Sequence, residues 1–381
     1  MAVNGADFDP RLAPVYADGR ELLDGAEWFD AHTHIGHNDP DGRTATAEEI
    51  IAGLDQAGHH RALVFPMHEP DGYAPANDMV IAAAAASEGR LIALGRVSPH
   101  HEDAVAEARR CLEAGARGFK LHPRSDEFEL PHPAVERVVA LAHEHRLPVL
   151  FHAGRGIPHL GEAVVDYARR YPGARLILAH AGISDLSWIA RDAAQLPNLF
   201  FDTAWWLVAD HLQLYATIPP ARILYASDMP YGPGLATAFI FQRVARAVGL
   251  DPDAMRAIAG GQLARLMAGE DPVDLGPAPG TEAVGPRVIE AERVVSYCAS
   301  ALQLAFRDQD PSESLALGRL ACRTGRHDPI GGLLHYVDRL LEIAQENLAA
   351  DPETPRAMAP ATLLAITIAG TPTAGVPAAE L

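Results

Sequence analysis

From Trp28 onward, short runs rich in Val, Ile, Leu and Phe alternate with longer Ala, Glu and Arg segments whose apolar positions recur at helical period. The short runs predict strands over 28–34, 61–66, 91–97, 116–122, 148–153, 174–180, 198–203 and 222–228. Between them the pattern predicts helices, among them Ala47 to Ala57, Ala76 to Glu88, Glu102 to Ala114, Pro133 to His145 and Gly161 to Arg170. Strand, helix, strand at this spacing forces parallel pairing with right-handed crossovers, and eight such units close into an α/β fold, the (β/α)8 TIM barrel. A helix near Asp253 to Met267 finishes a barrel domain of residues 1–269. Residues 270–287 are rich in Gly, Pro, Asp and Glu without apolar period, the pattern of a linker. Residues 288–381 form a helical C-terminal appendage of no assigned role: Val288 to Phe306, Ser312 to Arg323 and Ile330 to Ala349 are amphipathic, with Asp328-Pro329 marking a turn. The closing stretch, Ala350 to Leu381, combines an apolar run with Pro-rich ends and receives no element.

Composition narrows the classes. With 381 residues, 48% hydrophobic and 21% charged, the chain can bury a sizeable core. A formal net charge of -19 argues against a nucleic-acid partner, because phosphate binding needs clustered Lys and Arg. Cys111, Cys298 and Cys322 lack paired spacing, so neither a disulfide framework nor a cysteine zinc site is expected. Met1 to Arg11 shows no signal-peptide pattern, and no apolar stretch reaches the roughly 20 residues that span a bilayer. The expectation is a cytoplasmic protein with a small-molecule substrate and no membrane partner, with homo-oligomer formation through the C-terminal helices as a further expectation.

Chemistry concentrates at the ends of the strand-like runs: His32 and His34, Lys120, His152, His180 and Asp228. A strand sends residues i and i+2 to the same face, about 7 Å apart, so both imidazoles of His32-Thr33-His34 can converge on one divalent ion. In a parallel barrel the C-terminal strand ends form the active-site face, and all six residues fall there. Lys120 is the single lysine among 31 Lys and Arg residues. His122, Arg124 and Arg155 stand close enough in sequence to bind substrate, with arginine suited to grip a carboxylate. His68, His100 and His101 also follow strand ends, and Trp205 and Trp206 after the seventh run either wall the pocket or cap the barrel.

These motifs, namely Asp30-Ala31-His32-Thr33-His34-Ile35-Gly36, Gly118-Phe119-Lys120-Leu121-His122-Pro123, His152, Ala179-His180-Ala181-Gly182 and Ser227-Asp228-Met229-Pro230, resemble the amidohydrolase superfamily. The likeness is to its metal-dependent hydrolases and decarboxylases related to aminocarboxymuconate-semialdehyde decarboxylase, over about residues 28–268. It implies that His32, His34 and Asp228 bind the more buried metal. In two-metal members a carboxylated strand-four lysine bridges the ions and the strand-five and strand-six histidines hold the second, positions matched by Lys120, His152 and His180. In one-metal relatives the strand-five histidine joins the first ion and the strand-six histidine contacts the reacting water.

The set implies a divalent metal, zinc by ligand type, as one or two ions, with Lys120 either carboxylated or a plain ammonium. The leading expectation is a hydrolase of an amide, cyclic amide or ester bond that uses metal-activated water, with Asp228 and His180 as catalytic groups. The alternative is a mononuclear zinc non-oxidative decarboxylase of a small carboxylic acid. A catalytically degenerate binding or scaffold barrel is the third reading.

Overall fold

A computed structural model of the chain describes residues 9–40, 42–100, 103–324, 328–351 and 353–381. Among the described residues nine strands run in order: β1 (Phe29–Ile35), β2 (Arg61–Pro66), β3 (Leu91–Ala93), β4 (Gly95–Arg96), β5 (Phe119–Leu121), β6 (Pro148–Phe151), β7 (Arg175–Leu178), β8 (Leu199–Asp202) and β9 (Ile223–Leu224). Each falls inside one of the eight expected runs or within a residue of it. The third run differs by splitting at Leu94. Its first half pairs with β2 and its second with β5, so the ribbon changes partner in mid-strand. The Leu94 amide still donates to Val64 and the Gly95 amide to Gly118, which carries the backbone ladder across the break.

All pairings are parallel, in the orders β1-β2-β3 and β4 through β9. The circle closes between its first and last strands, where Ala31 N–H donates to the Tyr225 carbonyl at 2.9 Å, Asp228 N–H to His32 at 2.9 Å and His34 N–H to Met229 at 2.8 Å. Closure satisfies the two edges that an open sheet would leave exposed. The interior follows from alternation: Phe29, Leu63, Leu94, Leu150, Ile177, Phe200 and Leu224 come from seven of the eight expected runs and pack as one cluster, which only the barrel axis permits. On β5, Phe119 and Leu121 pack outward, and the axial position falls to Lys120.

The helices Ala47–Ala57, Ala74–Ala86, Ala104–Ala114, Pro133–His145 and Leu160–Arg170 lie where the apolar period placed them, and capping explains several of their ends. Thr46 and Glu49 form a reciprocal capping box at the first, and Gly58 closes it at φ 70°.

The C-terminal segment is helical over Ile289–Ala305, Ser312–Ala321, Gly331–Ala350 and Ala359–Gly370. The last is buried on nearly all sides and packs against the barrel helices Val208–Thr217 and Gly234–Ala247. One hydrophobic cluster runs from the barrel's outer layer through Leu334, Leu341 and Ile366. The stretch before these helices lies along the barrel. Gln262 brackets the backbone of Val273 from both sides, and Gly280 N–H reaches the Ala216 carbonyl. Among the described residues, no helix is long and apolar enough to cross a membrane.

Arg243 joins the two regions. Its buried guanidinium donates to the carbonyls of Thr371 at 3.1 Å and Gly375 at 2.9 Å. Arg243→Met keeps the aliphatic stem but strands those acceptors, so we expect a loss of about 1–3 kcal/mol in urea unfolding. An unchanged midpoint would show that water replaces the guanidinium at no cost.

Candidate functional site

A bulge prepares the site on β1. Between Asp30 and Thr33 the strand gains a residue relative to β2, so a chain that packs Phe29 and Ala31 toward the axis turns His32 and His34 inward beyond it. Asp30 fixes the bulge: its Oδ1 accepts from the amides of His32 and Ser227, both at 3.0 Å. The same carboxylate thereby anchors the turn that carries Asp228.

The result is a triangle of donors. His32 Nε2 and His34 Nε2 stand 3.1 Å apart, and Asp228 Oδ1 lies 3.3 Å from the first and 3.1 Å from the second. Ligands about 2.0 Å from a tetrahedral centre are separated by about 3.3 Å, so these three atoms fit one divalent ion. Burial holds both imidazoles well below their ordinary range, in the neutral form that ligates metal. Burial pushes the Asp228 carboxyl well up, opposed by Lys120. Asp228 is nevertheless the open corner, its side chain 21% exposed against 1% and 7% for the histidines.

The other predicted residues gather around this triangle. Lys120 is fully buried, with Nζ 3.4 Å from His32 Nε2 and 4.6 Å from the centre of the Phe65 ring. Desolvation pulls its amine far below the usual lysine range, with Arg96 reinforcing the shift and Asp202 opposing it. Past the ends of β6 and β7, His180 Nε2 and His152 Nδ1 meet at 2.9 Å, and the His180 ring lies 5.1 Å from that of His32. Since His180 Nδ1 faces the carbonyl of Ala204, it donates there, and His152 must donate to His180. That leaves the buried Nε2 of His152 with a bare lone pair and no partner. A Cβ at Gly154 would come within 3.2 Å of that nitrogen, so glycine keeps the space beside it open. An orphaned donor facing kept space fits a ligand or ion better than it fits a packed core.

His122 stacks on His152, centroids 3.8 Å apart, at the edge of the group. Arg155 is exposed in a left-handed turn and contributes a positive charge felt by His180, while Arg124 is exposed without a polar contact to the six residues. Trp205 lies 6.1 Å from His180, its indole N–H held by Asp210. His100 turns outward to the Glu127 carbonyl. His101 lies outside the described residues.

Two buried acids and an arginine at this rim escaped the sequence reading. Asp202, the last residue of β8, lies 2.8 Å from His32 Nδ1. Its signal was present, since it too ends an apolar run at a strand terminus. Arg96 and Asp126 form a buried pair at 2.8 Å, capped by the Tyr73 hydroxyl at 2.6 Å, with His68 3.6 Å away. Nothing in the pattern ties a loop aspartate to a residue thirty positions earlier.

A family model described as amidohydrolase matches residues 29–262. The chain belongs to the amidohydrolase family. No curated protein matches this amidohydrolase. Among solved structures it resembles 2,6-dihydroxybenzoate decarboxylase in complex with 2,6-dihydroxybenzoate, at 13% identity and TM-score 0.52, covering 64% of this chain and 99% of the other. It is also similar to the 5-carboxyvanillate decarboxylase of Sphingomonas paucimobilis, at 16% identity and TM-score 0.50, with 64% and 99% covered. A 5-carboxyvanillate decarboxylase of Novosphingobium aromaticivorans with bound manganese matches at 14% identity and TM-score 0.51, with 66% and 99% covered. Those likenesses establish the shared barrel. The family match ends at Gln262, so the helices from Ile289 onward lie beyond it.

The Arg96–Asp126 pair gives a direct test of what holds the rim. Asp126→Ala leaves a buried guanidinium without its counter-charge, and we expect unfolding measurements to show a loss of about 3–5 kcal/mol. A change below about 1 kcal/mol would mean the pair behaves as a solvated one.

Proposed function

We propose that this amidohydrolase is a decarboxylase of a small carboxylic acid that works with one divalent ion, zinc or manganese, at His32, His34 and Asp228. The observation that carries the reading is the closed triangle, the one such group among the described residues, with edges of 3.1 to 3.3 Å. The buried Nε2 of His152 has a bare lone pair and no partner, but it does not join the three donor atoms that close on one another. The substrate class is supported by the fold relatives, which act on 5-carboxyvanillate and 2,6-dihydroxybenzoate.

A divalent ion bound there would supply a Lewis acid to hold a substrate oxygen and stabilise the negative charge that develops during the reaction. The chain's own groups do the rest. Loss of CO₂ breaks a carbon–carbon bond and leaves its electron pair on carbon, so the site must deliver one proton to that carbon. Asp228 is placed for this: it enters the triangle through Oδ1 alone and is the corner open to the mouth, where its carboxyl can be reprotonated from solvent. A substrate carboxylate beside Lys120 would favour the protonated form of an amine that burial otherwise pulls toward neutral, and so pair with it. His152 and His180, linked to each other, form a polar wall with His122 stacked behind.

A second reading, two-metal hydrolysis of an amide, cyclic amide or ester, is favoured by one observation. Burial keeps the Lys120 amine toward its neutral form, the form that adds CO₂ to give a carbamate.

Protein purified without chelator should carry about one divalent ion per chain by elemental analysis and release CO₂ from hydroxybenzoate-type acids. Asp228→Asn should retain substantial metal and lose activity by about 10²–10⁴-fold. Lys120→Ala should keep its ion and weaken substrate binding. Two ions per chain falling to one in Lys120→Ala, with lactone hydrolysis and no CO₂ release, would transfer the assignment to the hydrolytic reading.

A further inference from the structure

We infer that Asp202 is the positioning residue of the candidate metal centre: it decides which nitrogen of His32 faces the triangle and, through its second oxygen, fixes the turn that presents His180. The inference rests on the reading of His32, His34 and Asp228 as a metal site.

Asp202 is fully buried at the end of β8, and both of its oxygens are committed. Oδ2 lies 2.8 Å from His32 Nδ1. Oδ1 accepts from the amide of His180 at 2.8 Å and from that of Ala204 at 3.0 Å. Burial raises the Asp202 carboxyl, while the two amide donations and Lys120 favour its ionised form; as a carboxylate it only accepts, so His32 places its proton on Nδ1, and its Nε2 is then a lone pair aimed at His34 and Asp228. The alternative tautomer would put two lone pairs against each other at Asp202 and a hydrogen into the triangle, where ligation needs an electron pair. The oxygen on the other side holds a strained segment, because His180 and Ala181 both have positive φ, 56° and 57°. The amide donation from His180 into that carboxylate offsets part of a backbone cost that non-glycine residues ordinarily avoid, and the second donation, from Ala204, holds the carboxylate itself in place. One side chain on β8 thus fixes a ring on β1 and a turn after β7.

Asp202→Asn is the sharp test, since it preserves shape and reverses one hydrogen-bonding role. The amide oxygen can keep the two backbone donors, and the amide nitrogen then faces His32 Nδ1 as a donor. His32 must answer by moving its proton to Nε2, toward the triangle. We expect Zn²⁺ titration of the metal-free variant to show affinity weaker by about 10–100-fold, with thermal unfolding of the metal-free form close to that of the parent. Imidazole ¹H–¹⁵N correlation spectra of the metal-free proteins should show the His32 proton on Nδ1 in the parent and on Nε2 in Asp202→Asn. The parent spectrum keeps the test intact if the variant fails to fold: a His32 protonated at Nε2 in the parent overturns the assignment. So does undiminished Zn²⁺ affinity in a folded Asp202→Asn. His34→Ala separates the two levels. If it binds Zn²⁺ as the parent does, the metal-site reading itself fails. If it loses Zn²⁺ while Asp202→Asn does not, the metal centre stands and the role given to Asp202 falls.

Discussion

The site depends first on the closure of the barrel between β1 and β9. His32 and His34 are on the first strand and Asp228 follows the last, nearly two hundred residues later, so their donor atoms meet only if the sheet comes round on itself in register. Asp30 holds that seam. One of its oxygens accepts an amide hydrogen bond from each side of the junction, from His32 and from Ser227. Its burial pushes its own pKa up to about 7, against the pull of those amides. A group kept in so costly an environment is compensated by the geometry it imposes. The bulge beside it serves the same end, since without the extra residue strict alternation would turn the imidazoles away from the axis.

Around that seam the structure keeps its histidines neutral and its charges few. Burial depresses His32, His34, His122 and His152 alike, and close packing of imidazoles makes protonation of any one unfavourable for the others. Neutral rings can exchange hydrogen bonds in a fixed direction, which is why the order from His152 through His180 to the Ala204 carbonyl can be read from distances alone. Arg96 is paired against Asp126, and the Lys120 amine, pulled down by burial, lies over the face of Phe65.

Much of this was legible in the sequence because two periodicities dominate it. Strand runs of near-continuous apolar character, five of the eight carrying a metal-type side chain at their ends, are what a parallel barrel with a polar mouth must write. The helix Ala359–Gly370 was not legible because it is apolar on every side, leaving no stripe for a helical period to reveal. The split at Leu94 was hidden for a different reason: both halves are strand, and only pairing partners tell them apart. The roles of Asp202 and Asp126 depend on atoms brought together from distant segments. An aspartate at a strand end could be seen, but not the nitrogen it would face.

The C-terminal helices bear on the site although none of their residues reaches it. Ala359–Gly370 packs on the barrel helix Gly234–Ala247, which begins six residues after Asp228. The turn between them is tightly enclosed. A Cβ at Gly232 would strike the Ser227 carbonyl at 2.4 Å, and one at Gly53 would meet the Met229 sulfur at 2.8 Å. Tyr231, in the same turn, stands edge-on to His34 and donates its hydroxyl to Asp39 across the mouth. Asp228 therefore sits on a segment with little room to relax, clamped below by Asp30 and behind by a helix that the C-terminal region covers. The strand that carries His32 and His34, by contrast, is held on both sides by the barrel ladder.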